Sequence, residues 1–326
     1  MKRNTHVLPR HRIAVVGTGA VGGFYGAKLA YYGREVHFLI RSEEERAAVR
    51  RFGLRVKSKE GNFRVAKTHV HANTDTVGPC DLVLIAVKAT ANDALPALLA
   101  PLMKPGTVLL TLQNGLGNED FLAEHFGAAN VLGGLCFVCL NKTAPGVIEH
   151  LGYGTMSIGE HAGFPLPRTH DIAWEFKRCG VNARVVADLA EERWRKLVWN
   201  IPFNGLTVLA TAQRPLDSPP VSTADLLADP SLSYAARRLA DEVVAAARKL
   251  GHALPPDFAD TQFKRTATMG AYLPSTMLDF AAGRALELEA IWGEAYRRAF
   301  NAGAEVGRLE TVYHLLRALP PRAAAS

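Results

Sequence analysis

Lys196, Asn200 and Asn204 recur every four residues in the segment WRKLVWNIPFN (194–204). On a helix that spacing lines one ammonium and two carboxamides along a single stripe. Leu197, Val198, Ile201 and Phe203 crowd the remaining positions. Asparagine is a poor helix-interior residue, so a repeated asparagine among apolar neighbours needs a polar partner, which a cleft supplies. An ammonium in a cleft can protonate an oxygen on which negative charge develops. A solvated helix face is the plainer reading of the same stripe. Pro202 is expected to kink or break this helix, which makes the placement of Asn204 depend on it.

A second group of residues suits a phosphate ligand. Gly17-Thr18-Gly19-Ala20-Val21-Gly22 follows the apolar run RIAVV (12–16) and precedes a helical pattern. In that setting the first glycine permits a tight turn, the second lets backbone amides approach a pyrophosphate, and the third lets helix and strand pack closely. The amides and dipole of the following helix favour the negative phosphates. Roughly 20 residues on, an acidic side chain would bond a ribose 2′-hydroxyl. Arg41 stands there instead, and no Asp or Glu occupies positions 38–41. A guanidinium pairs with a 2′-phosphate, so NADPH is the expected cofactor. Lys88, closing DLVLIAVK (81–88), and Asn114, closing TVLLTLQN (107–114), stand where an open parallel sheet binds ligands, just beyond the carboxyl ends of strands.

The elements that must position these groups follow from periodicity. The first half alternates short apolar runs with helical patterns, the sequence form of a parallel sheet with crossover helices. After strand 12–16, a helix is expected over 20–32, with Gly33 at its C-terminal end, and then a strand over 35–40. Ser42 with Glu45 predicts a capping box opening the helix that Gly53 closes. A hairpin is expected around Lys59-Glu60-Gly61. DLVLIAV and TVLLTL read as strands covered on both faces, and VLGGLCFVCL (131–140) as another strand. GVIEHL and TMSIGE, joined through Gly152 to Gly154, suggest an antiparallel pair.

From Leu189 onward the texture is helical, with candidates at 234–250, 258–269 and 284–302, and the proline-rich stretch 214–230 reads as an irregular connector. The expected organisation is a flexible extension over 1–11, a dinucleotide-binding domain over 12–187, a helical substrate and catalytic domain over 188–319, and a disordered tail over 320–326.

The chain has 326 residues, 48% hydrophobic and 21% charged, ordinary globular usage with no apolar run long enough to span a membrane. Its formal net charge is +7, but the 38 Lys and Arg are dispersed, which argues against nucleic acid and suits the steering of small anions. Cys80, Cys136, Cys139 and Cys179 are too few and scattered for a disulfide framework, which points to a cytoplasmic protein. Cys136 and Cys139 form a CxxC inside an apolar strand and read as core residues rather than a redox pair. The residues suggest no metal site.

These pieces, in their order and spacing, resemble the ketopantoate reductase family over nearly the whole chain. The resemblance runs from the glycine motif through VKAT (87–90), LQNG (112–115), WRKLVWNIPFNGLT (194–207) and PSTMLDFAAGRALELEAIWG (274–293). It implies an N-terminal Rossmann-type domain followed by an all-α C-terminal domain of the 6-phosphogluconate dehydrogenase C-terminal type. It implies that Lys196 is the general acid and that Glu287 hydrogen-bonds the substrate and that lysine. Asn200, Asn204 and Ser275 match positions that hold the substrate's hydroxyl and carboxylate. Lys88 and Asn114 match positions beside the nicotinamide and substrate, and Arg41 matches the residue that meets the 2′-phosphate.

The activity so implied is NADPH-dependent reduction of 2-dehydropantoate to (R)-pantoate, in pantothenate and coenzyme A biosynthesis. Tyr272, Leu273 and Pro274 precede Ser275 where close pathway members often carry a polar residue and a second serine. Reduction of another small 2-keto acid, or a non-catalytic NADPH-binding regulatory role, are the alternatives. A small keto acid is the expected partner, with no nucleic acid or membrane, and a homodimer is left open.

Overall fold

The computed structural model describes residues 11–320. The terminal segments expected to be flexible or disordered therefore lie almost wholly outside the described residues. The chain packs as two compact units. One comprises the described residues up to Gln113 together with Glu119–Leu189; the other comprises Asn114–Asn118 and the described residues from Ala190 onward.

The first unit is built on ten strands. These are β1 (Arg12–Val16), β2 (Glu35–Leu39), β3 (Leu54–Ser58), β4 (Phe63–Val65), β5 (His69–His71), β6 (Leu82–Ile85), β7 (Val108–Thr111), β8 (Val131–Ala144), β9 (Val147–Glu160) and β10 (Asn182–Val185). Helices α1 (Ala20–Tyr31), α2 (Glu43–Phe52), α3 (Leu95–Leu99), α4 (Asn118–Phe126) and α5 (Pro167–Arg178) alternate with them. The sheet order is β4-β3-β9-β8-β7-β6-β1-β2-β5, with β10 paired to β9. From β5 to β8 all neighbours are parallel, whereas β8 and β9 run antiparallel. Because β1 lies between β2 and β6, the chain reverses its direction of travel across the sheet there, opening a crevice at the carboxyl ends of those strands.

The continuous apolar runs have a direct cause. Ile13, Val15, Leu82, Leu84 and Leu110 pack with Phe24, Tyr25, Leu29 and Phe176 from α1 and α5. The alternate residues Ala14, Val16, Val83, Ile85 and Leu109 pack with Leu95, Leu99 and Leu122 from α3 and α4. Both faces of the sheet are covered, so neither register of the strand admits polar residues. The α/β class expected of this half is the class observed.

Two local expectations are corrected here. Gly152 to Gly154 do not turn the chain: β9 is one strand that pairs with β8 over Val147–Glu160. The register shifts between Phe137 and Val138 and between Cys139 and Leu140, and Tyr153 (φ 62°) and Gly154 (φ 122°) absorb the irregularity as a bulge. With 14 residues in β8, continuing the ladder satisfies more backbone groups than turning would. The capping box at α2 is half formed. Ser42 Oγ accepts from the Glu45 amide at 3.3 Å, but the Glu45 carboxylate turns away to Lys142. All four cysteines are free and buried.

The second unit is helical: α6 (Leu189–Ala212), α7 (Thr223–Ala228), α8 (Pro230–Lys249), α9 (Phe258–Ala267), α10 (Ser275–Ala281), α11 (Glu294–Asn301) and α12 (Gly307–Arg317). Trp194, Leu197, Val198 and Ile201 of α6 share a core with Val243, Trp292, Leu309 and Tyr313. The break that Pro202 could cause does not occur: α6 is one continuous helix through that residue. An interior proline costs about 3 kcal/mol, but Val198, Ile201 and Phe203 on either side are fully buried, and Trp292 Nε1 donates to the Ile201 carbonyl at 3.1 Å.

The expected helix over 284–302 begins later. Arg284 folds back on α10, its amide and side chain both bonded to Asp279, and residues 284–287 form no helix. The chain then enters a π-helical turn, Glu289–Gly293, that leads into α11. The expected irregular connector contains α7, whose start is capped reciprocally by Ser222 and Asp225.

Candidate active site

In the first unit, the turn after β1 and the segments after β2 and β6 enclose a cleft of about 790 Å³. Gly17 adopts φ +100°, and a Cβ there would lie 2.4 Å from the Val87 amide nitrogen. A Cβ on Gly22 would lie 2.2 Å from the Gly17 carbonyl and 2.9 Å from Ala86 Cβ, so helix and strand approach closely only because it is absent. Gly19 differs from both. A Cβ there would meet no protein atom within 4 Å, so the backbone borders open cleft. Gly19 is also the N-cap of α1, and no side chain caps that helix. Thr18 Oγ1 donates to the Leu39 carbonyl at 2.9 Å, tying the turn to the end of β2. Bare helix amides beside an open backbone form a cradle that fits a diphosphate.

Arg41 is exposed, two residues beyond β2, and lines the cleft. Its backbone is held from behind: Arg46 Nη1 donates to the Ile40 carbonyl at 2.6 Å and the Arg41 carbonyl at 2.7 Å. Lys88 is half-buried, lines the same cleft and starts a 3₁₀ turn over Ala89–Ala94. That turn is anchored to β7, since Gln113 Nε2 donates to Asn92 Oδ1 at 2.7 Å while Thr111 Oγ1 donates to Gln113 Oε1 at 2.9 Å. Two cleft residues escaped the reading of the sequence: Lys142 near the end of β8, and Glu45 in the first turn of α2. The signal for Lys142 is slight, a change from apolar to polar residues at NKTA (141–144).

The lysine of the second unit has a defined partner. Lys196 Nζ donates to Asn114 Oδ1 at 2.7 Å. A neutral amide oxygen accepts from the ammonium and so orients it. The loop carrying Asn114 is itself held. Leu116 donates its amide proton to the Ala290 carbonyl at 2.8 Å, and Asn118 Nδ2 donates to the Asn114 carbonyl at 2.8 Å. Gly115, at φ +85°, makes that approach possible, since a Cβ there would lie 2.2 Å from the Ala290 oxygen. Ala290 belongs to the π-helical turn, where the widened helix alters which carbonyls are free to accept from outside.

Of the stripe mates of Lys196, Asn200 is buried and Asn204 is almost wholly so. Asn204 Oδ1 accepts from the Thr276 amide at 3.0 Å, which caps the start of α10 and sets Ser275, an exposed residue, at the first position of that helix. Glu287 is half-buried immediately before the π-helical turn, and its carbonyl accepts from the Ile291 amide at 3.1 Å. Its neighbour Glu289 is committed elsewhere, to Tyr313 at 2.7 Å and Arg297 at 2.8 Å. Among the described residues no cluster of three or more His, Cys, Asp or Glu is arranged to hold a metal, and no helix is long and apolar enough to cross a membrane.

Comparison with known proteins identifies the family. The family model described as ketopantoate reductase PanE/ApbA matches residues 13–163, and the corresponding C-terminal model matches residues 188–320. A 2-dehydropantoate 2-reductase of Nostoc sp. is 38% identical over 320 residues, 97% of each chain. The crystal structure of a 2-dehydropantoate 2-reductase from Geobacter metallireducens superposes with a TM-score of 0.88 at 38% identity, covering 94% of this chain and 99% of that one. One from Methylococcus capsulatus gives 0.83 at 31% identity, covering 94% and 96%.

Proposed function

Since the chain belongs to the ketopantoate reductase family, we propose that it reduces 2-dehydropantoate to (R)-pantoate with NADPH, a step of pantothenate and coenzyme A synthesis. When bound, NADPH supplies a hydride to the substrate's carbonyl carbon. The first-turn amides of α1 and the open backbone at Gly19 hold the diphosphate, and the Arg41 guanidinium meets the 2′-phosphate. Thr18, Ala20 and Val21 complete that turn, and Lys88 contacts the cofactor from the end of β6.

Lys196 delivers the proton that the carbonyl oxygen takes up as negative charge develops on it. Asn114 keeps the ammonium aimed and contacts substrate and cofactor, and Glu287 bonds the substrate and the lysine. Asn200 and Ser275 receive the substrate's hydroxyl and carboxylate. Asn204 acts on that pocket through its cap on α10, which supports the serine. The observation that carries this reading is the 2.7 Å bond from Lys196 to Asn114, which joins the acid to the strand-end asparagine. The four free cysteines support a cytoplasmic site of action.

The test is NADPH consumption by purified protein with 2-dehydropantoate against a panel of other small 2-keto acids. A kcat/KM for 2-dehydropantoate at least tenfold above the rest is expected. Equal or better turnover of another keto acid assigns the pocket to that substrate. Tyr272-Leu273-Pro274 before Ser275 is the segment to exchange in that event. No turnover of any keto acid, with NADPH bound, turns the reading into that of a cofactor-binding regulator.

A further inference from the structure

The cleft of the first unit contains an ion pair that the reading above does not use. β8 outruns its parallel neighbour: β7 pairs with it only through Val131–Gly133, while β8 continues alongside β9 to Ala144. Near the end of that overhang, Lys142 places its ammonium 2.5 Å from Glu45 Oε2. Both residues line the cleft together with Arg41 and Ser42. Glu45 stands one helical turn beyond Arg41, and its side chain is only 12% exposed. Its second oxygen, Oε1, is buried without a hydrogen-bond partner among the described residues.

A carboxylate is costly in this position. It is desolvated, incompletely bonded, and placed where a phosphate dianion is expected to bind, so it would repel the ligand if left uncompensated. Lys142 removes that penalty and adds a second cation beside Arg41. A guanidinium plus an ammonium offers a 2′-phosphate more charge-assisted donors than a guanidinium alone. We propose that Lys142 is a second specificity-determining cation for the 2′-phosphate of NADPH, and that Glu45 holds its ammonium in the cleft, where carboxylate and phosphate share it. This rests on the assignment of Arg41 to the same phosphate.

Binding of cofactor fragments separates the possibilities without requiring turnover. Adenosine 2′,5′-bisphosphate and adenosine 5′-monophosphate are titrated calorimetrically into the full-length protein and its variants. Lys142→Met keeps the aliphatic stem and is expected to weaken the bisphosphate at least tenfold while changing the monophosphate less than twofold. Lys142→Arg should restore the preference. Glu45→Gln, which removes the competing anion but keeps an acceptor for the lysine, should tighten the bisphosphate severalfold.

Equal losses of both ligands in Lys142→Met overturn the proposal, because the lysine then serves the diphosphate region or the shape of the cleft. No loss of either overturns it as well, leaving a structural pair between β8 and α2. Weakened bisphosphate binding in Glu45→Gln refutes the holding role. Arg41→Ala reports on the underlying assignment. If it discriminates between the ligands and Lys142→Met does not, only the second cation fails; if Arg41→Ala does not discriminate, the phosphate lies elsewhere and the cofactor reading of this cleft falls.

Discussion

The glycine turn and the lysine stripe are built by different rules. Gly17 to Gly22 are contiguous; a side chain at Gly17 would meet the backbone of Ala86 and Val87 beyond β6, and one at Gly22 the Gly17 carbonyl and Ala86. Lys196 meets a partner 82 positions away, and Asn204 one 72 positions away. The turn is therefore shaped by close backbone packing against the ends of β6 and β2, while the lysine site depends on a chain of contacts from Lys196 through Asn114 and Leu116 to Ala290. The two should fail in different ways when damaged.

The largest expected effect falls on the assembled site. Lys196→Ala should reduce kcat by about 10²-fold or more, equivalent to about 2.7 kcal/mol of transition-state stabilisation. NADPH affinity should stay near wild type, since the lysine is assigned to substrate chemistry. Steady-state kinetics with equilibrium binding of NADPH checks both halves. Near-normal turnover would remove the lysine from the acid role and leave the stripe as packing.

Exchanging glycines tests the contrast directly. Gly17→Ala forces a side chain into φ +100° and against the Val87 amide, and should weaken NADPH binding about tenfold or more while leaving kcat at saturating cofactor within a few fold. Gly115→Ala should do the opposite. A methyl group pressed on the Ala290 oxygen displaces the Leu116 amide from it and shifts Asn114, so kcat should fall about tenfold, or about 1.4 kcal/mol, with NADPH affinity unchanged. Each variant should also lose roughly 1–3 kcal/mol of stability from the strained backbone. If the two variants lose affinity and turnover in the same proportion, the distinction between a binding turn and a positioning loop is wrong.

The same contrast explains what the sequence made legible. The parallel strands and the glycine turn could be read because apolar runs and turn residues report neighbours close in the chain. So could the spacing of Lys196, Asn200 and Asn204, because a helix repeats locally. What escaped reading depended on tertiary partners. Glu45 matched a capping box but was drawn off by Lys142, 97 positions away. Gly152 and Gly154 looked like a turn because nothing local reveals that β8 is long enough to pair with all of β9. Pro202 looked disruptive because its local cost is visible, whereas the burial of Val198, Ile201 and Phe203 is not. The π-helical turn and its bond to Leu116 left no periodic trace at all.

The smallest effect is expected away from both sites, at the β2–β5 edge, and it concerns pH. His37 stacks on His69 with ring centroids 4.8 Å apart, and its Nδ1 lies 3.0 Å from His71 Nε2. His37 Nε2 faces both Arg12 Nε at 3.2 Å and Glu35 Oε1 at 3.0 Å. His71 Nδ1 lies 2.8 Å from Thr76 Oγ1, and that hydroxyl donates to the Asn73 carbonyl at 3.2 Å. Between His37 and His71 one ring nitrogen must donate and the other accept, so protonating both rings sets two donors face to face. Burial lowers the pKa of His37 below 6.5, outweighing its contact with Glu35, and Arg12 and His69 press in the same direction. His71 is lowered likewise, by burial first and then by His37, His69, Arg12 and Arg50. A folded-state pKa below the unfolded value means that the unfolded chain binds protons first on acidification. The contribution is therefore intact above about pH 6.5 and declines as pH falls from there toward the depressed folded values. Thermal melting across about pH 8 to 5 should show a fall of a few degrees attributable to this edge. His37→Gln should flatten that dependence, and an unchanged slope in the variant would show that the acid sensitivity arises elsewhere.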